Sequence, residues 1–410
     1  KKMLLSDLDE YVLTIIFTKL SFDDLEKISF LCKKFHFIIN KNVYQTKSKK
    51  LLMTGHHERE VKFQRDLHNF TYRKRIKLYQ NWRDGRYEEK SYFHHKIMYI
   101  SQIVLDSNFL YMTHGGQIRQ HNRTRKNYLL KWNSCNTIGK TKDSDITWFT
   151  KNKQIIFAGR NDGTCFIYDE SNGSFDEQSV YGNQKNDSIT AVDFHEDFFL
   201  TTTRTGSTKF FRKYTELGVS ALEEQRKIDD SYQTVKLCPN YTRIAAGKYH
   251  DKNKMALNLI DVETGHVKVL QSRTHAIYHL LWKDENCIMT GNFDTTFRII
   301  DCRTGRDEAV YYDPYDASVY CLDYDGLYGV LCGMKYHFRV NLYDIRKPIC
   351  VQMYFSSRKY TNYSPVYSLA SDCSQLFLVT DHDLRILNFD ADWAKSKDYS
   401  EPYYFFFKKK

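Results

Sequence analysis

Hydrophobic residues near the start of the chain recur every three or four positions, which is the period of an amphipathic helix. On one face of that helix lie Leu8, Val12, Ile15, Ile16 and Leu20. A second helix is expected after the acidic turn at residues 21–24, and a third around residues 35–39. Three short helices bury little apolar surface, so we expect part of that surface to meet a partner or another domain.

Residues 46–96 form a different segment, which is polar and rich in Lys and Arg. Its stretch 58–82 contains neither Pro nor Gly, which favours one continuous helix. The run at 81–86, Asn-Trp-Arg-Asp-Gly-Arg, is typical of a helix end followed by a turn. We interpret residues 46–96 as a semi-rigid, basic helical linker.

From about residue 97 the hydrophobic period becomes two, and a long repeat appears. Residues 155–169 predict a strand, an Asn-Asp-Gly turn and a returning strand. Similar hairpins recur at 288–301 and 331–344, and weaker copies surround residues 121, 211, 260 and 387. Successive copies are 40 to 49 residues apart, and a four-stranded propeller blade takes ~40–45 residues. Seven copies predict a seven-bladed propeller over residues 97–392, followed by a tail at 393–410. Residues 86–96 and 393–407 are the two candidates for the segment that closes the ring.

Composition agrees with a folded, strand-rich chain. Of 410 residues, 41% are hydrophobic and 27% are charged, and 31 Tyr and 27 Phe contrast with 5 Pro. The chain contains no apolar run of ~18 residues, so no membrane span is expected. Charged residues at positions 7, 9 and 10 interrupt any signal-peptide core. We expect a protein of the cytoplasm, the nucleus or both.

Motifs for catalysis or metal binding are missing from the sequence. The ten Cys are single, without Cys-x-x-Cys pairs or zinc spacing. Walker, Rossmann, Gly-x-Ser-x-Gly and His-Glu-x-x-His patterns do not occur. Neighbouring imidazoles at 56–57 and 94–95 point in different directions on a regular helix or strand. We therefore expect no catalytic residues, no metal and no cofactor, although an enzyme stays among the alternatives.

The positive charge is concentrated in the first quarter of the chain. The net charge is +11, and residues 1–96 carry 21 Lys or Arg against 12 Asp or Glu. A solvated linker accounts for this excess, but an acidic partner or a polyanion also fits. Aromatic residues lie among the basic ones, at Phe63, Phe70, Tyr72 and Tyr79. A nucleic-acid-binding module thus stays open as a less favoured alternative, because Glu58, Glu60 and Asp66 interrupt the basic run.

The repeats of the second region resemble WD repeats. That family ends the third strand of a blade in Trp-Asp. Here the pair becomes Tyr168-Asp169, Ile260-Asp261, Ile300-Asp301 and Tyr343-Asp344. The resemblance rests on the repeat period and on the Gly and Asp turn residues more than on any single residue.

The first 45 residues resemble an F-box. The matching positions are Leu5-Ser6, Ile16-Phe17, Leu20, Asp24-Leu25 and Cys32-Lys33-Lys34-Phe35, with Val43-Tyr44 where the family has a closing Trp. Segments 81–86, 99–102 and 364–369 are similar to landmarks of the dactylins, one type of F-box/WD-repeat protein. The fold class expected is α+β and multidomain: a three-helix F-box at 1–45, a helical linker and an all-β, seven-bladed WD-repeat propeller.

This resemblance implies a non-catalytic substrate receptor of a Skp-cullin-F-box ubiquitin ligase. The F-box would bind a Skp-family adaptor, which connects to a cullin and its RING subunit, and the propeller would hold a protein substrate for ubiquitination and proteasomal degradation. The residues expected at or supporting the adaptor interface are Leu5, Ile16, Phe17, Leu20, Leu25 and Cys32. The alternative in the same family is a scaffold that uses the adaptor outside ubiquitination.

Relatives that read phosphorylated substrates clamp phosphate with Arg side chains near the start of the innermost strands and before the turn between the second and third strands. Equivalent substrate-binding candidates here are Arg204, Lys236, Lys248, Tyr278, Phe293, Tyr320, Lys335 and Tyr367. They predict a rim with one basic half and one aromatic half. We expect the basic half to meet an acidic or phosphorylated group, and the aromatic half an apolar or aromatic side chain.

Overall fold

The computed structural model describes residues 4–55, 65–66, 69–94, 100–124, 130–140, 142–181, 188–204, 206–216, 219–356 and 364–396. Helices occupy the N-terminal part of this range. They are a 3-10 turn Leu5–Asp7, α1 Glu10–Thr18, α2 Phe22–Ser29, α3 Lys33–Ile38, a π-helical stretch Ile39–Val43, α4 Tyr44–Ser48 and α5 Tyr72–Asp84. Within the part of the chain described, none of these helices is both long and apolar enough to cross a membrane.

Helices α1 to α4 enclose a small core of their own. Phe17 and Phe35 meet edge to face at 5.1 Å, and Leu13 and Leu25 are fully buried beside them. The Asp9 carboxylate caps α1 by accepting a hydrogen bond from the backbone of Tyr11. Ser21 caps α2 in the same way, so the polar residues between the apolar runs set where each helix begins.

Helix α5 is shorter than the continuous helix expected over 58–82. Thr71 has an extended backbone, and its hydroxyl accepts a hydrogen bond from the Lys74 amide, so the helix begins at Tyr72. Gly85 ends the helix with a left-handed backbone (φ 63°), as the Asp-Gly-Arg turn predicts. Residues 65–66 and 69–71 are not helical, and residues 58–64 lie outside the described part.

Seven four-stranded antiparallel sheets follow, and they confirm the seven-bladed propeller. From the innermost strand outwards, blade 1 contains β2 Ile103–Leu105, β3 Phe109–His114, β4 Gln117–Arg123 and β5 Leu130–Ile138. Blade 2 contains β6 Ile146–Asn152, β7 Ile155–Arg160, β8 Thr164–Asp169 and β9 Ser174–Ser179. Blade 3 contains β10 Ile189–His195, β11 Phe198–Thr203, β12 Thr208–Glu216 and β13 Val219–Ile228.

The remaining blades keep the same order. Blade 4 contains β14 Thr234–Leu237, β15 Arg243–Gly247, β16 Leu257–Asp261 and β17 Val267–Val269. Blade 5 contains β18 Ile277–Trp282, β19 Cys287–Asn292, β20 Thr296–Asp301 and β21 Arg306–Tyr312. Blade 6 contains β22 Val319–Tyr324, β23 Gly329–Met334, β24 Arg339–Asp344 and β25 Cys350–Phe355. Blade 7 contains β26 Ser368–Ser371, β27 Gln375–Val379, β28 Asp383–Asn388 and, outermost, β1 Glu88–His94.

Strand β1 closes the ring, because a segment from before the first blade completes the last one. It pairs antiparallel with β28, with Glu88 opposite Asn388 and Lys90 opposite Ile386. This strand lies inside the segment that the sequence analysis assigned to the linker, so the propeller takes in residues 88–94 as well as those after 97. Pairing between the two ends of the propeller sequence leaves no open sheet edge at the closure.

Close approach of neighbouring blades depends on glycine in the second strand. A Cβ added at Gly159 would lie 2.4 Å from Ile189 of the next blade, and one at Gly291 would lie 2.8 Å from Val319. Both glycines belong to the Ala-Gly and Thr-Gly pairs that mark the repeat in the sequence. These positions let the innermost strand of one blade pack directly on its neighbour.

Buried His121 in β4 is expected to make the propeller acid-sensitive. Burial, and secondarily the charge of Arg119, lowers the pKa of this fully buried imidazole to about 4. Its pKa in the unfolded chain is about 6.5, so its neutral form contributes stability above that value and the contribution is lost as pH falls towards 4. When the pH falls from 7.5 to 5.0, the free energy of unfolding measured in urea should decrease by about 2 kcal/mol more for the wild type than for His121→Leu. Equal losses in the two proteins would contradict this assignment.

Candidate functional sites

The first candidate site is an exposed apolar stripe on α1. Val12, Ile15 and Ile16 are separated by three and four positions and are 41%, 47% and 37% exposed. The opposite side of the same helix buries Leu13 and Phe17 in the core of the small domain. Both faces of α1 are therefore apolar, and only one of them is covered by the residues that the structure describes. An uncovered stripe of this kind is typical of a helix that docks on another protein.

The predicted adaptor residues divide between this surface and the core. Leu5 and Ile16 are exposed, and Leu20 and Cys32 are partly buried against the core cluster. Phe17 and Leu25 are completely buried in the free chain, which fits the supporting role among the two roles expected for these residues.

Other apolar side chains of the same domain are exposed and were not selected from the sequence. Phe30 and Leu31, after the end of α2, are 80% and 71% exposed, and Phe37 is 52% exposed. The signal that could have found them is the consecutive apolar run 30–32, since a short helix cannot bury three neighbouring residues.

Helix α5 joins this domain to the propeller. Ile76 is buried in the core of the small domain, and Arg73 forms an ion pair with Glu26 of α2. One turn and a half further on, Trp82 is buried between blades 6 and 7, where its indole stacks on Phe389 at 3.6 Å. Its Nε1 donates a hydrogen bond to the Cys373 carbonyl at 3.0 Å. One short helix is thus embedded at both ends, which fixes the exposed α1 stripe relative to the propeller.

Several basic residues of the predicted linker, residues 46–96, which we call the connector, form ion pairs within the chain. The paired ones are Arg65 with Asp323 (2.8 Å), Arg73 with Glu26, Lys74 with Asp390, Arg75 with Asp66 (3.8 Å) and Lys77 with Asp392 (3.0 Å). Among the aromatics proposed to stack on bases, Phe63 lies outside the described residues and Tyr72 and Tyr79 are half-buried against the two cores. These contacts weigh against a polyanion site on the connector.

The second candidate site is the upper rim, the end of the propeller where the second strand of each blade turns into the third. In blades 2, 3, 5 and 6 the innermost strand bulges one residue after its start, at Thr147, Thr190, Tyr278 and Tyr320. In blade 7, Tyr367 immediately precedes the innermost strand and donates its amide to Val379. Three successive blades therefore present Tyr at equivalent rim positions, as the sequence analysis predicts.

The structure pairs two of the predicted basic residues with carboxylates of the propeller. Lys236 lies two residues inside β14, lines the central channel of about 250 Å³, and forms a 3.0 Å ion pair with buried Asp193. Lys248 pairs with Asp230 at 2.9 Å. Of the predicted basic half, Arg204 is left without a carboxylate partner among the described residues. The ion pairs weigh against Lys236 and Lys248 as substrate contacts, and that expectation stays a prediction.

Tyr249 occupies the rim position of blade 4 that Lys248 was expected to fill. The second strands of blades 4, 5 and 6 place a glycine at the same register against the innermost strand: Gly247, Gly291 and Gly333. Two residues after each glycine, in the same order, come Tyr249, Phe293 and Lys335. Tyr249 is 44% exposed, and the Arg204 guanidinium lies 4.2 Å from the centre of its ring. The nine residues between β15 and β16 hide this equivalence in the sequence.

Five aromatic rings of blades 4 to 7 form one continuous surface, which we call the aromatic shelf: Tyr249, Tyr278, Phe293, Tyr320 and Tyr367. Tyr278 is central, with ring distances of 6.3 Å to Tyr249, 6.2 Å to Phe293 and 4.6 Å to Tyr320. Tyr320 in turn meets Tyr367 at 5.9 Å. Lys335 lies 5.8 Å above the Phe293 ring, so a cation stands on each of two sides of the shelf.

The phenols of Tyr278, Tyr320 and Tyr367 stay neutral at physiological pH. Burial, followed by the neighbouring Tyr320 and Asp381, raises the pKa of Tyr367 to about 12. Burial also raises the pKa of Tyr278 and of Tyr320, with the Tyr320 phenol as the next cause for Tyr278. Neutral hydroxyls both donate and accept hydrogen bonds, so the shelf offers apolar ring faces with polar groups at their edges.

Replacement of Lys236 by methionine is expected to destabilise the propeller rather than weaken substrate capture. The change leaves the Asp193 carboxylate, 3% exposed, without its ion pair, which should cost about 1–3 kcal/mol in the free energy of unfolding. Lys335→Met removes a cation that has no carboxylate partner within the described residues, and should change stability by less than about 0.5 kcal/mol. Denaturation midpoints of the two variants compare these effects, and equal midpoints would contradict the placement of Lys236.

Within the residues that the structure describes, no three His, Cys, Asp or Glu side chains are grouped so that they could hold a metal ion. The cysteines there are free thiols, most of them buried among strands. Burial raises the pKa of the Cys165 and Cys287 thiols to about 12, which suits structural rather than nucleophilic cysteines.

Comparisons with known proteins concern the two domains that carry these surfaces. The F-box domain family matches residues 5–44. F-box/WD repeat-containing protein 4 of Mus musculus and that of Homo sapiens are each 22% identical over 330 residues, covering 77% of this chain and 77% of the relative. The crystal structure of the computationally designed Ika8 protein superposes with a TM-score of 0.53 at 14% identity, covering 73% of this chain and 98% of that chain, and supports the fold alone.

These findings join the two halves of the molecule. The matched F-box segment coincides with helices α1 to α4, and the seven sheets that follow have the strand order of WD-type blades. An F-box ahead of a WD propeller fits substrate receptors of Skp-cullin-F-box ubiquitin ligases in general, and such receptors generally act as non-catalytic adaptors. The chain thus carries an F-box ahead of a seven-bladed propeller, and it is similar to F-box/WD-repeat proteins over 77% of its length.

Proposed function

We propose that the chain is the substrate-recognition subunit of a Skp-cullin-F-box ubiquitin ligase. The F-box docks a Skp-family adaptor, which connects to the cullin and its RING subunit, and the upper rim captures a protein for ubiquitination and degradation. The observation that carries this proposal is the bare stripe of Val12, Ile15 and Ile16 on a domain that α5 holds rigidly to a propeller. A receptor needs both features, because the transfer chemistry takes place on other subunits.

Geometry supports a positioning role for the connector. Arg73 and Ile76 face the F-box, while Asn81 and Trp82 face blade 7, and Asn81 donates a hydrogen bond to the Phe389 carbonyl at 2.8 Å. A connector held at both ends keeps the rim at a set distance from the adaptor. Substrate bound at the rim then has a high effective concentration at the ubiquitin carrier.

The proposal is tested by purifying the tagged chain from its own cells, in wild-type form and with Ile15→Asp combined with Ile16→Asp. We expect adaptor and cullin to be recovered with the wild type and lost with the double variant. Proteins that both forms retain, and whose half-lives lengthen in cells that express only the variant, are the substrates.

Two results would contradict the proposal. If the wild type recovered neither adaptor nor cullin, the proposed ligase function would be wrong. Recovery of the adaptor without cullin, with unchanged half-lives of the proteins that the propeller retains, would instead establish a scaffold that uses the adaptor outside ubiquitination.

A further inference from the structure

We propose that the upper rim binds an unmodified acidic peptide segment, whose central apolar or aromatic side chain rests on the aromatic shelf while carboxylates on either side of it reach Arg204 and Lys335. This inference rests on the proposed function, because it names the substrate class for the same surface. It differs from a phosphate clamp in needing two separated single charges and an apolar anchor between them.

The distribution of rim cations argues against a site for one doubly charged phosphate. Such a site needs several donors converging on one point. Here Lys236 and Lys248 are already paired with Asp193 and Asp230. Arg204 and Lys335 have no carboxylate partner within the described residues, and each lies over a different ring. The available positive charge is therefore split between two places with aromatic rings between them.

The spacing between the two cations sets the spacing of the acidic groups. Arg204 is 4.2 Å from the Tyr249 ring, that ring is 6.3 Å from Tyr278, Tyr278 is 6.2 Å from Phe293, and Lys335 is 5.8 Å from Phe293. This bent path is an upper limit for the direct separation. An extended peptide advances ~3.3 Å per residue, so the two acidic residues should be at most about seven positions apart.

The shelf between the cations suits an apolar side chain with polar neighbours. Phe293 and Tyr249 are nearly half exposed, and the neutral Tyr278 and Tyr320 hydroxyls can bond to peptide backbone. Tyr and Arg side chains at the centre of a surface contribute much of the binding energy in protein interfaces. Beyond Tyr367 the next rim residue is Asp381, whose charge would repel an acidic group and so limits the acidic segment to the side of the shelf between Arg204 and Lys335.

Random twelve-residue peptides without phosphate, displayed and selected on the purified full chain, test this inference. We expect the enriched peptides to share an aromatic or large aliphatic residue flanked by Asp or Glu within about seven positions. Synthetic versions should lose at least about tenfold in affinity when the anchor becomes Ser or either acid becomes Lys. Arg204→Glu and Tyr278→Ala in the protein should cause losses of similar size.

Matched controls use exposed residues away from the shelf. Tyr241 is 43% exposed in the loop between β14 and β15, at the opposite end of blade 4 from Tyr249, and Lys268 is exposed on the outer strand β17. Tyr241→Ala and Lys268→Glu should change peptide affinity by less than about twofold. Circular dichroism of each variant confirms that the propeller is folded.

Three outcomes would overturn the inference. The first is enrichment of peptides without paired acids, and the second is binding that Arg204→Glu leaves unchanged. The third is a gain of more than about tenfold when phosphoserine replaces one Glu, which would show a phosphate-reading site. Adaptor binding is measured on the same preparation. If the chain bound acidic peptides but not the adaptor, only the ligase function would be contradicted. If it bound the adaptor but not acidic peptides, only this inference would be contradicted.

Discussion

Replacement of Trp82 by alanine is expected to lower the free energy of unfolding by about 3–5 kcal/mol. The side chain is fully buried, stacks on Phe389 at 3.6 Å and meets Tyr354 edge to face at 5.7 Å. Its removal leaves a large cavity between blades 6 and 7 and deletes the hydrogen bond to the Cys373 carbonyl. Urea unfolding followed by circular dichroism measures the effect without relying on the fluorescence of the deleted indole.

The neighbouring residue supplies the control for this prediction. Arg83 is half exposed, bonds to the adjacent Asp84 carboxylate and lies 6.0 Å from the Tyr79 ring centre, so Arg83→Ala should change stability by less than about 0.5 kcal/mol. A loss below about 1 kcal/mol for Trp82→Ala would mean that the blades close over the gap, and that α5 is not anchored by this indole.

Trp82→Ala should also affect the proposed function, because it loosens the position of the F-box relative to the propeller. Because α5 contributes Ile76 to the F-box core and Trp82 to the propeller, loosening one end releases the angle between the two domains. At temperatures where Trp82→Ala is still folded, adaptor affinity should stay normal while ubiquitin transfer to a rim-bound protein slows. Under the proposed function, this result would show that packing in blades 6 and 7 affects the rate of ubiquitin transfer on another subunit.

Sequence periodicity was sufficient for the architecture because each element carries its own local signal. The blades follow from strand–turn–strand units with Gly in the second strand and Asp at the end of the third, as at Gly159 and Asp169. The closing strand β1 carries no such signal. Its partner β28 is about 300 residues away, and its outward Glu and Lys residues resemble those of a polar linker. Pairing between such distant segments is decided by ring closure, which local patterns do not encode.

The sites were harder to predict than the fold, for two physical reasons. Helix α1 is apolar on both faces, so its period shows that residues are apolar but not whether Ile16 or Phe17 faces inwards. On the rim, loops of different length shift the count along the sequence, and Tyr249 rather than Lys248 holds the blade 4 position. Some charged side chains also form ion pairs with residues far away in sequence, as Lys236 does with Asp193. The aromatic series at Tyr278, Tyr320 and Tyr367 was predictable because equivalent strands keep a constant register.

Two neighbouring positions on α1 are expected to separate adaptor binding from folding. Ile15→Asp combined with Ile16→Asp should reduce adaptor affinity by at least about a hundredfold, since it places two carboxylates in the interface that the apolar stripe would form. Both side chains are more than one-third exposed in the free chain, so the free energy of unfolding should fall by less than about 1 kcal/mol. Phe17→Ala, one position further, should instead cost about 3–5 kcal/mol, because it empties the centre of the F-box core beside Phe35.

A charge-matched variant makes the comparison decisive. Gln45→Asp combined with Thr46→Asp adds the same two charges to α4, where Gln45 is half-buried and Thr46 exposed, and should leave adaptor affinity within about twofold. Titration calorimetry with purified adaptor and urea unfolding of each variant give the two quantities separately. If the α1 double variant bound the adaptor normally while Phe17→Ala lost binding without losing stability, the exposed stripe would not be the docking surface. The adaptor would then have to contact a side chain that the free chain keeps buried, which requires the F-box to open on binding.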